Sequence, residues 1–375
     1  MEIKRDEILH SRESLKSNNM NTTRRDFIQL SAAAFGAAAL APGLFAADSP
    51  AAETYPATGA INDQMIWANL IHLSYNMWCD RLPDSWGYYT RDQLHFVQVS
   101  DTLRFDDSLW RDITEKMAKA GMNMVVIDVG DGIQFASHPE ISVKKAWSPG
   151  RLGEELARLR SLGLEPIPKL NFSTSHDQWL HDYSRMVSTP VYYKVCSELI
   201  AEVAALFGKP RFFHLGYDEE TAGNQESYSI SIVRQHELWW HDFDFFINTV
   251  ETQGCRPWIW SDYAWGHPDD FFKKMPKKVL QSNWYYGLDF DKADDIYIKT
   301  FRELEKYGYD QIPTGSNWSS PENFGKLTEW CRKEIPGPRL KGFLQTPWYP
   351  TLETFCDKHI QAIENVAEAI RKYKI

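Results

Sequence analysis

Pro210-Arg211-Phe212-Phe213-His214-Leu215-Gly216-Tyr217-Asp218-Glu219-Glu220 begins as an apolar run and ends abruptly in three carboxylates. A short apolar run bounded by turn residues reads as a buried strand, here Arg211 to Tyr217. Acids just past such a strand stand where parallel α/β folds collect their chemistry. His214, Gly216 and Asp218 share one strand parity, so they point the same way. His214 is therefore expected inside the fold, bonded to a neighbour, and Glu220 as a capping or supporting acid.

Outward from this stretch the same rhythm recurs. Apolar runs at Ile66–Leu73, Met122–Asp128, Leu164–Leu170, Pro257–Ser261, Val279–Trp284, Gln311–Gly315 and Lys341–Thr346 complete a set of eight strands. Helical spacing fills the gaps at Leu109–Ala120, Leu152–Leu162, Val191–Phe207, Ile230–Thr252, Asp295–Tyr307, Asn323–Lys333 and Leu352–Tyr373. Gly121, Gly163, Gly208 and Gly254 follow as stops. Strand–helix alternation implies parallel pairing with right-handed crossovers. Eight units predict a single (β/α)8 barrel. An open doubly wound sheet is the alternative, but no glycine-rich phosphate fingerprint follows an early strand. One long irregular stretch, Met77 to Phe105, is rich in Trp, Tyr and Asp, as functional loops are.

The N-terminus reads as an address. Arg24-Arg25-Asp26-Phe27 precedes a small, apolar run from Leu30 to Leu44 that ends in Ala46-Ala47. That order describes a twin-arginine export signal, too short to span a bilayer comfortably. Residues 1–47 are read as signal, with Met20 an alternative start, 48–65 as linker and 66–375 as barrel. A periplasmic or secreted protein is expected, with no membrane span once the signal is removed.

Lys+Arg number 41 against Asp+Glu 51, a net charge of -10, and the pI is near 5.6. That balance argues against nucleic acid or an anionic membrane as partner. The five cysteines show no CxxC or Cys/His spacing, so no structural zinc site is expected. Cys331 with Cys356 is a candidate disulfide. No metal-binding or cofactor motif is read elsewhere, and oligomeric state is not legible.

In a barrel the residues past the strand tips converge on one face. In chain order these are Tyr75, Asp128, Asn171 with His176 and Asp177, then Asp218 and Glu219. Trp260 and Asp262, Asn283 and Trp284, Trp318, and Trp348 complete the set. Acids and amides bond hydroxyls while indoles stack on sugar rings, so the inventory suits a carbohydrate pocket. Glycoside cleavage needs a proton donor for the leaving oxygen and negative charge near the developing oxocarbenium ion. Strand seven ends Thr314-Gly315-Ser316-Asn317-Trp318, without an acid, so no nucleophile is expected there. Two other classes stay open. His72, His214, Asp128, Asp218 and Asp262 could hold a divalent metal in a barrel isomerase or hydrolase, and a non-catalytic barrel could bind glycans.

His214-x-Gly216-x-Asp218-Glu219 resembles the His-x-Gly-Gly-Asp-Glu signature of glycoside hydrolase family 20, the β-N-acetylhexosaminidases. The resemblance implies a barrel in which the substrate's acetamido group is the nucleophile. Asp218 would orient it and Glu219 would be the general acid/base, its pKa raised by burial or neighbouring charge. Trp260, Trp284, Trp318 and Trp348 would wall the sugar. The second glycine of the signature is Tyr217 here, and Lys169 and Asn171 occupy positions after strand three where the family has acids. No Arg sits on strand one; Arg81 is the nearest. The family's small N-terminal domain is not expected before Ile66.

Overall fold

The computed structural model describes residues 64–81, 96–226, 228–335 and 337–373. The stretch read as an export signal and its linker lies outside them, apart from residues 64 and 65. Eight parallel strands form one sheet: β1 (Ile66–His72), β2 (Met124–Asp128), β3 (Glu165–Lys169), β4 (Phe212–His214), β5 (Arg256–Trp260), β6 (Leu280–Ser282), β7 (Thr314–Gly315) and β8 (Gly342–Gln345). Their order is β6-β5-β4-β3-β2-β1-β8-β7. The remaining seam closes through single bridges, Gln281 to Gln311 and Trp284 to Thr314, with Ile312 N–H donating to Gln281 O at 2.9 Å. The chain is a (β/α)8 barrel.

Period-two alternation divides each strand between two cores. Ile66, Ala68, Leu70, Met124, Val126, Ile167, Phe212, Trp258, Leu280, Ile312 and Leu344 fill the barrel. Trp67, Ile71, Val125, Ile127, Phe213, Ile259 and Phe343 face outward onto the helices. Those helices are α1 (Asp107–Lys119), α2 (Pro149–Ser161), α3 (Pro190–Leu206), α4 (Glu237–Thr252), α5 (Tyr263–Gly266), α6 (Pro268–Lys274), α7 (Ile296–Lys306), α8 (Asn323–Glu334) and α9 (Cys356–Tyr373). Ser148-Pro149 and Thr189-Pro190 set two of the starts: each hydroxyl accepts an N–H of the first turn, and each proline takes a position that needs no donor. No helix among the described residues is long and apolar enough to cross a membrane.

Four expectations need correction. The helix expected from Ile230 starts at Glu237, because the preceding segment carries Arg234 into the protein interior. The β5–β6 connection, read without a helix, holds α5 and α6; the proline of His267-Pro268 divides them. β4 ends at His214 rather than Tyr217. Cys331 and Cys356 are both free thiols, not a disulfide.

The β1–β8 seam depends on a missing side chain. A Cβ on Gly342 would lie 2.2 Å from Ile66 O and 2.4 Å from Ile66 Cβ, and neither β-strand can move without breaking its ladder. Gly342→Ala should lower stability by about 1–3 kcal/mol, measured by urea unfolding. Gly325→Ala in α8, where nothing lies within 4 Å, should be neutral or gain up to ~1 kcal/mol.

Candidate active site

The chain leaves β4 through a contorted turn. Gly216, Tyr217 and Glu219 have φ of 70°, 76° and 56°, a left-handed conformation that costs a non-glycine residue roughly 1–3 kcal/mol. Gly216 is obligatory for a second reason: a Cβ there would fall 1.9 Å from Asn171 Oδ1. The Asn171 amide instead fits against the turn. Its oxygen accepts the N–H of Ser173 (3.0 Å) and of Tyr217 (3.2 Å), and its nitrogen donates to Asp218 Oδ1 (2.8 Å). Ser173 Oγ donates to Asp218 O, while Ser175 Oγ (2.6 Å) and Asn224 Nδ2 (2.9 Å) donate to Glu219 O.

Arg234, fully buried, grips the residues on either side of the acidic pair. It donates to the Glu220 carboxylate through Nε (2.9 Å) and Nη2 (2.6 Å), to Tyr217 Oη through Nη1 (2.9 Å), and to Phe172 O (2.7 Å). Glu220 is thus a supporting acid, as expected.

Within this frame Asp218 is buried, whereas the Glu219 side chain keeps 36% of its surface exposed. His176 Nε2 stands 3.3 Å from Asp218 Oδ2 and 3.4 Å from Glu219 Oε2. Asp262 Oδ2 accepts the Glu219 N–H (2.7 Å), and Trp284 Nε1 donates to Asp262 Oδ1 (3.4 Å). Burial disfavours charge on His176, but the two carboxylates outweigh it and push the imidazole up to about 10. Burial likewise opposes ionisation of Asp218; His176, Lys169 and Asn171 overcome it and hold the carboxyl low. Asp262 has no such cation. Burial, then the neighbouring Asp218 and Glu219, raise it to about 8. The carboxyl displaced upward in this cluster is therefore Asp262.

Below the pair lies a polar layer. His72, Asp128, Lys169 and His214 are successive register partners across β1 to β4. Lys169 Nζ donates to Asp128 Oδ2 at 2.5 Å, both groups out of solvent. His214 Nδ1 accepts the Gly216 N–H (3.0 Å), leaving its proton on Nε2. Burial, with Lys169 adding to it, drives His214 well down, and burial lowers His72. Both rings are thereby biased toward the neutral form, and the layer's ion pair is Lys169 with Asp128.

Indoles enclose the mouth. Trp78 meets His176 edge-on at 5.1 Å and Trp348 at 6.0 Å. Trp348 donates from Nε1 to Tyr286 Oη (2.9 Å), and Tyr286 stacks on Trp284 at 5.0 Å.

Of the residues singled out from sequence, Asn171, His176, Asp218, Glu219, Asp262 and Trp284 meet in one cluster. Trp348 joins them through Trp78. Trp260 is only 1% exposed and packs under Trp348 at 6.0 Å, a floor rather than a wall. Tyr75 donates to Trp348 O (2.7 Å), and Asp128 belongs to the layer beneath. Trp318 lies on the outer rim, 44% exposed against Tyr349. Asn283 faces outward: it accepts from Trp265 Nε1 (2.9 Å) and donates to Tyr297 O (2.8 Å), so it has no place at the site. The five-residue metal set is not assembled, because the Lys169 ammonium occupies Asp128. The three residues whose ligand atoms do converge are His176, Asp218 and Glu219, all within 4.8 Å of one another. Trp78, Tyr286 and Arg234 were missed; only Trp78 carried a signal, its place in the Trp-rich loop.

No family model matches the sequence, and no curated protein matches it. Solved structures do share its fold. A β-N-acetylhexosaminidase from Bacteroides fragilis aligns with TM-score 0.56 at 13% identity, over 81% of this chain and 65% of that one. A family 20 exo-β-N-acetylglucosaminidase from Vibrio harveyi gives 0.55 at 13%, over 81% and 54%. An N-acetyl-β-hexosaminidase from Streptomyces plicatus gives 0.53 at 15%, over 82% and 64%. The chain spans less than two-thirds of each. At these identities the likeness is one of barrel architecture.

The carboxyl of Asp262 makes a pH prediction. Its folded-state value, about 8, lies above the ordinary 3.8, so the folded protein holds the extra proton between those limits. Its contribution is complete below pH 3.8 and is lost as pH rises through 8. Asp262→Asn keeps an acceptor for the Glu219 N–H. Relative to wild type it should melt at a similar temperature near pH 4 and at a higher one at pH 8 to 9, read by circular dichroism. A parallel pH dependence in both proteins would refute the assignment.

Proposed function

We propose that the protein is a glycoside hydrolase that cleaves β-N-acetylhexosaminides, exported by its twin-arginine signal to the periplasm or beyond. One observation carries the reading: two adjacent carboxyl groups at the tip of β4, one buried and held anionic, the other reaching solvent, inside a ring of indoles. The fold shared with the hexosaminidase structures supports it, and so does the family 20 signature that the β4 stretch resembles.

The division of labour follows from environment. Glu219 has the exposed carboxyl, so it can protonate a departing glycosidic oxygen and then take a proton from water. Asp218 cannot easily leave its anionic state, because His176 and Asn171 hold its two oxygens. A fixed negative charge beside the sugar stabilises the positive charge of an oxocarbenium-like or oxazolinium-like species. The β7 tip offers no nucleophile: Asn317 donates to Lys358 O (2.9 Å) and Gln361 Oε1 (3.1 Å), turned onto α9. Attack by the substrate's own acetamido oxygen meets that constraint. In balance, the acetamido oxygen bonds to the anomeric carbon as the bond to the leaving oxygen breaks and takes the Glu219 proton. Water then reopens the ring, returning a proton to Glu219. Trp78, Trp284 and Trp348 supply apolar surface for the sugar faces.

Chromogenic β-N-acetylglucosaminide and β-N-acetylgalactosaminide should be hydrolysed. Glu219→Gln should lower kcat/KM by roughly 10²–10⁴-fold and Asp218→Asn by on the order of 10²–10³-fold, with sugar affinity retained. Silence across a broad glycoside panel sinks the reading, and binding without turnover would leave a glycan-binding barrel in its place.

A further inference from the structure

Two distances around His176 are not those of hydrogen bonds. A charge-assisted N–H···O bond closes to about 2.7–2.9 Å, yet His176 Nε2 stops at 3.3 Å from Asp218 Oδ2 and 3.4 Å from Glu219 Oε2. Those separations equal the edge of a tetrahedron, about 3.3–3.4 Å, whose centre lies about 2.0–2.1 Å from each corner, the bond length of zinc to imidazole nitrogen or carboxylate oxygen. Each of the three side chains offers one such atom; the three fall within 4.8 Å of one another, and the exposed Glu219 carboxylate is the one that swings to bring its oxygen within an edge length of Asp218. We infer that His176, Asp218 and Glu219 form a binding site for a divalent transition ion of the Zn²⁺ class.

The surroundings fit that ligand. His176 is 4% exposed and Asp218 6%, so two of the donors are pre-positioned by packing. Asn171 Nδ2 binds the second oxygen of Asp218 at 2.8 Å, the kind of outer contact that aims a metal-bound carboxylate. Glu219 is the exposed member, through which an ion would enter, and a fourth position remains for water. Lys169 blocks the neighbouring Asp128 from joining. The other histidine held between two acids differs: His138 lies 3.0 Å from Glu140 and 2.8 Å from Glu198, at hydrogen-bond distances, and Lys194 already neutralises Glu198 at 2.7 Å.

An ion in this site takes the Glu219 oxygen from which a proton would be delivered, so it inhibits rather than activates. The site itself rests on geometry alone; only the inhibition rests on the glycosidase reading.

The test is calorimetric titration of the metal-stripped full chain with zinc chloride. One ion per chain is expected, with affinity reduced 100-fold or more in Asp218→Asn and in His176→Gln, each checked for native circular dichroism, and unchanged in His138→Ala. Absence of binding up to millimolar zinc, equal binding by the two site variants, or loss in His138→Ala overturns the inference. In parallel, zinc should suppress glycoside hydrolysis and EDTA restore it. Zinc binding without any glycosidase activity upholds the site and removes the proposed function; hydrolysis without zinc binding does the reverse.

Discussion

The guanidinium of Arg234 holds the barrel mouth together. A buried cation is expensive unless it is paired and fully bonded, and this one meets Glu220, the Tyr217 hydroxyl and Phe172 O, with Asp242 Oδ2 at 3.4 Å. Asp177, also buried nearby, is pushed well up by burial, against the pull of Arg234. What Arg234 stabilises is a turn that would not persist alone, with two non-glycine residues at positive φ. Their combined strain, about 2–6 kcal/mol, is comparable with the 3–5 kcal/mol that breaking a buried ion pair typically costs. The strain and its compensation therefore belong to one unit, and Asp218 and Glu219 lie between its two points of attachment.

Beneath that unit the barrel interior changes character. Apolar residues fill its lower levels, and the level at the strand ends is His72, Asp128, Lys169 and His214. Such a layer is a poor core, since each polar group must be satisfied in place. Its consequence is electrostatic. Lys169 adds to His176 in keeping Asp218 ionised, while Asp262, close to the same carboxylates and without a cation of its own, keeps its proton. Two carboxyl groups that share a site are pushed apart in this way whenever the positive charge is closer to one of them. The cluster thus holds an anion and an acid side by side near neutral pH.

Much of this was legible in the chain. Apolar runs of the right length, all but the fifth followed by a helix-spaced segment, are a local signal, and all eight strands stand where that signal puts them. The abrupt acids after β4 were local too. Other features depend on partners far apart in sequence. Arg234 sits in a stretch whose spacing reads as helix; its burial follows from Phe172, 62 residues earlier, and no window of the sequence contains both. The polar layer is a matter of register: each member ends its own strand, and only the pairing brings them level. Asn283 is a different failure. Along β6 and the residues that continue it, the inward positions are Leu280, Ser282 and Trp284, so alternation alone places Asn283 outside, and proximity to a strand tip was the weaker criterion.

The departures from the family 20 signature bear on what the site must preserve. Where the signature has its second glycine this chain has Tyr217, and the position still takes φ of 76°. The backbone requirement is met by caging the ring: Trp239, Phe243 and Phe246 pack around it at 5.2, 5.2 and 5.7 Å, and Arg234 lies over its face at 4.6 Å. Asn171 departs from an expected acid, yet its amide bonds both the turn and Asp218, which a carboxylate, lacking donors, could not do. In each case the substitution changes the chemistry while the direction of the Asp218–Glu219 pair is still enforced. A sugar hydroxyl can be bonded from many places around a cup. Under the proposed glycosidase function a proton donor and a fixed anion must face one bond from one side, so geometry at the β4 tip is the stricter demand, and residues that would clasp the rest of a sugar are the freer to differ.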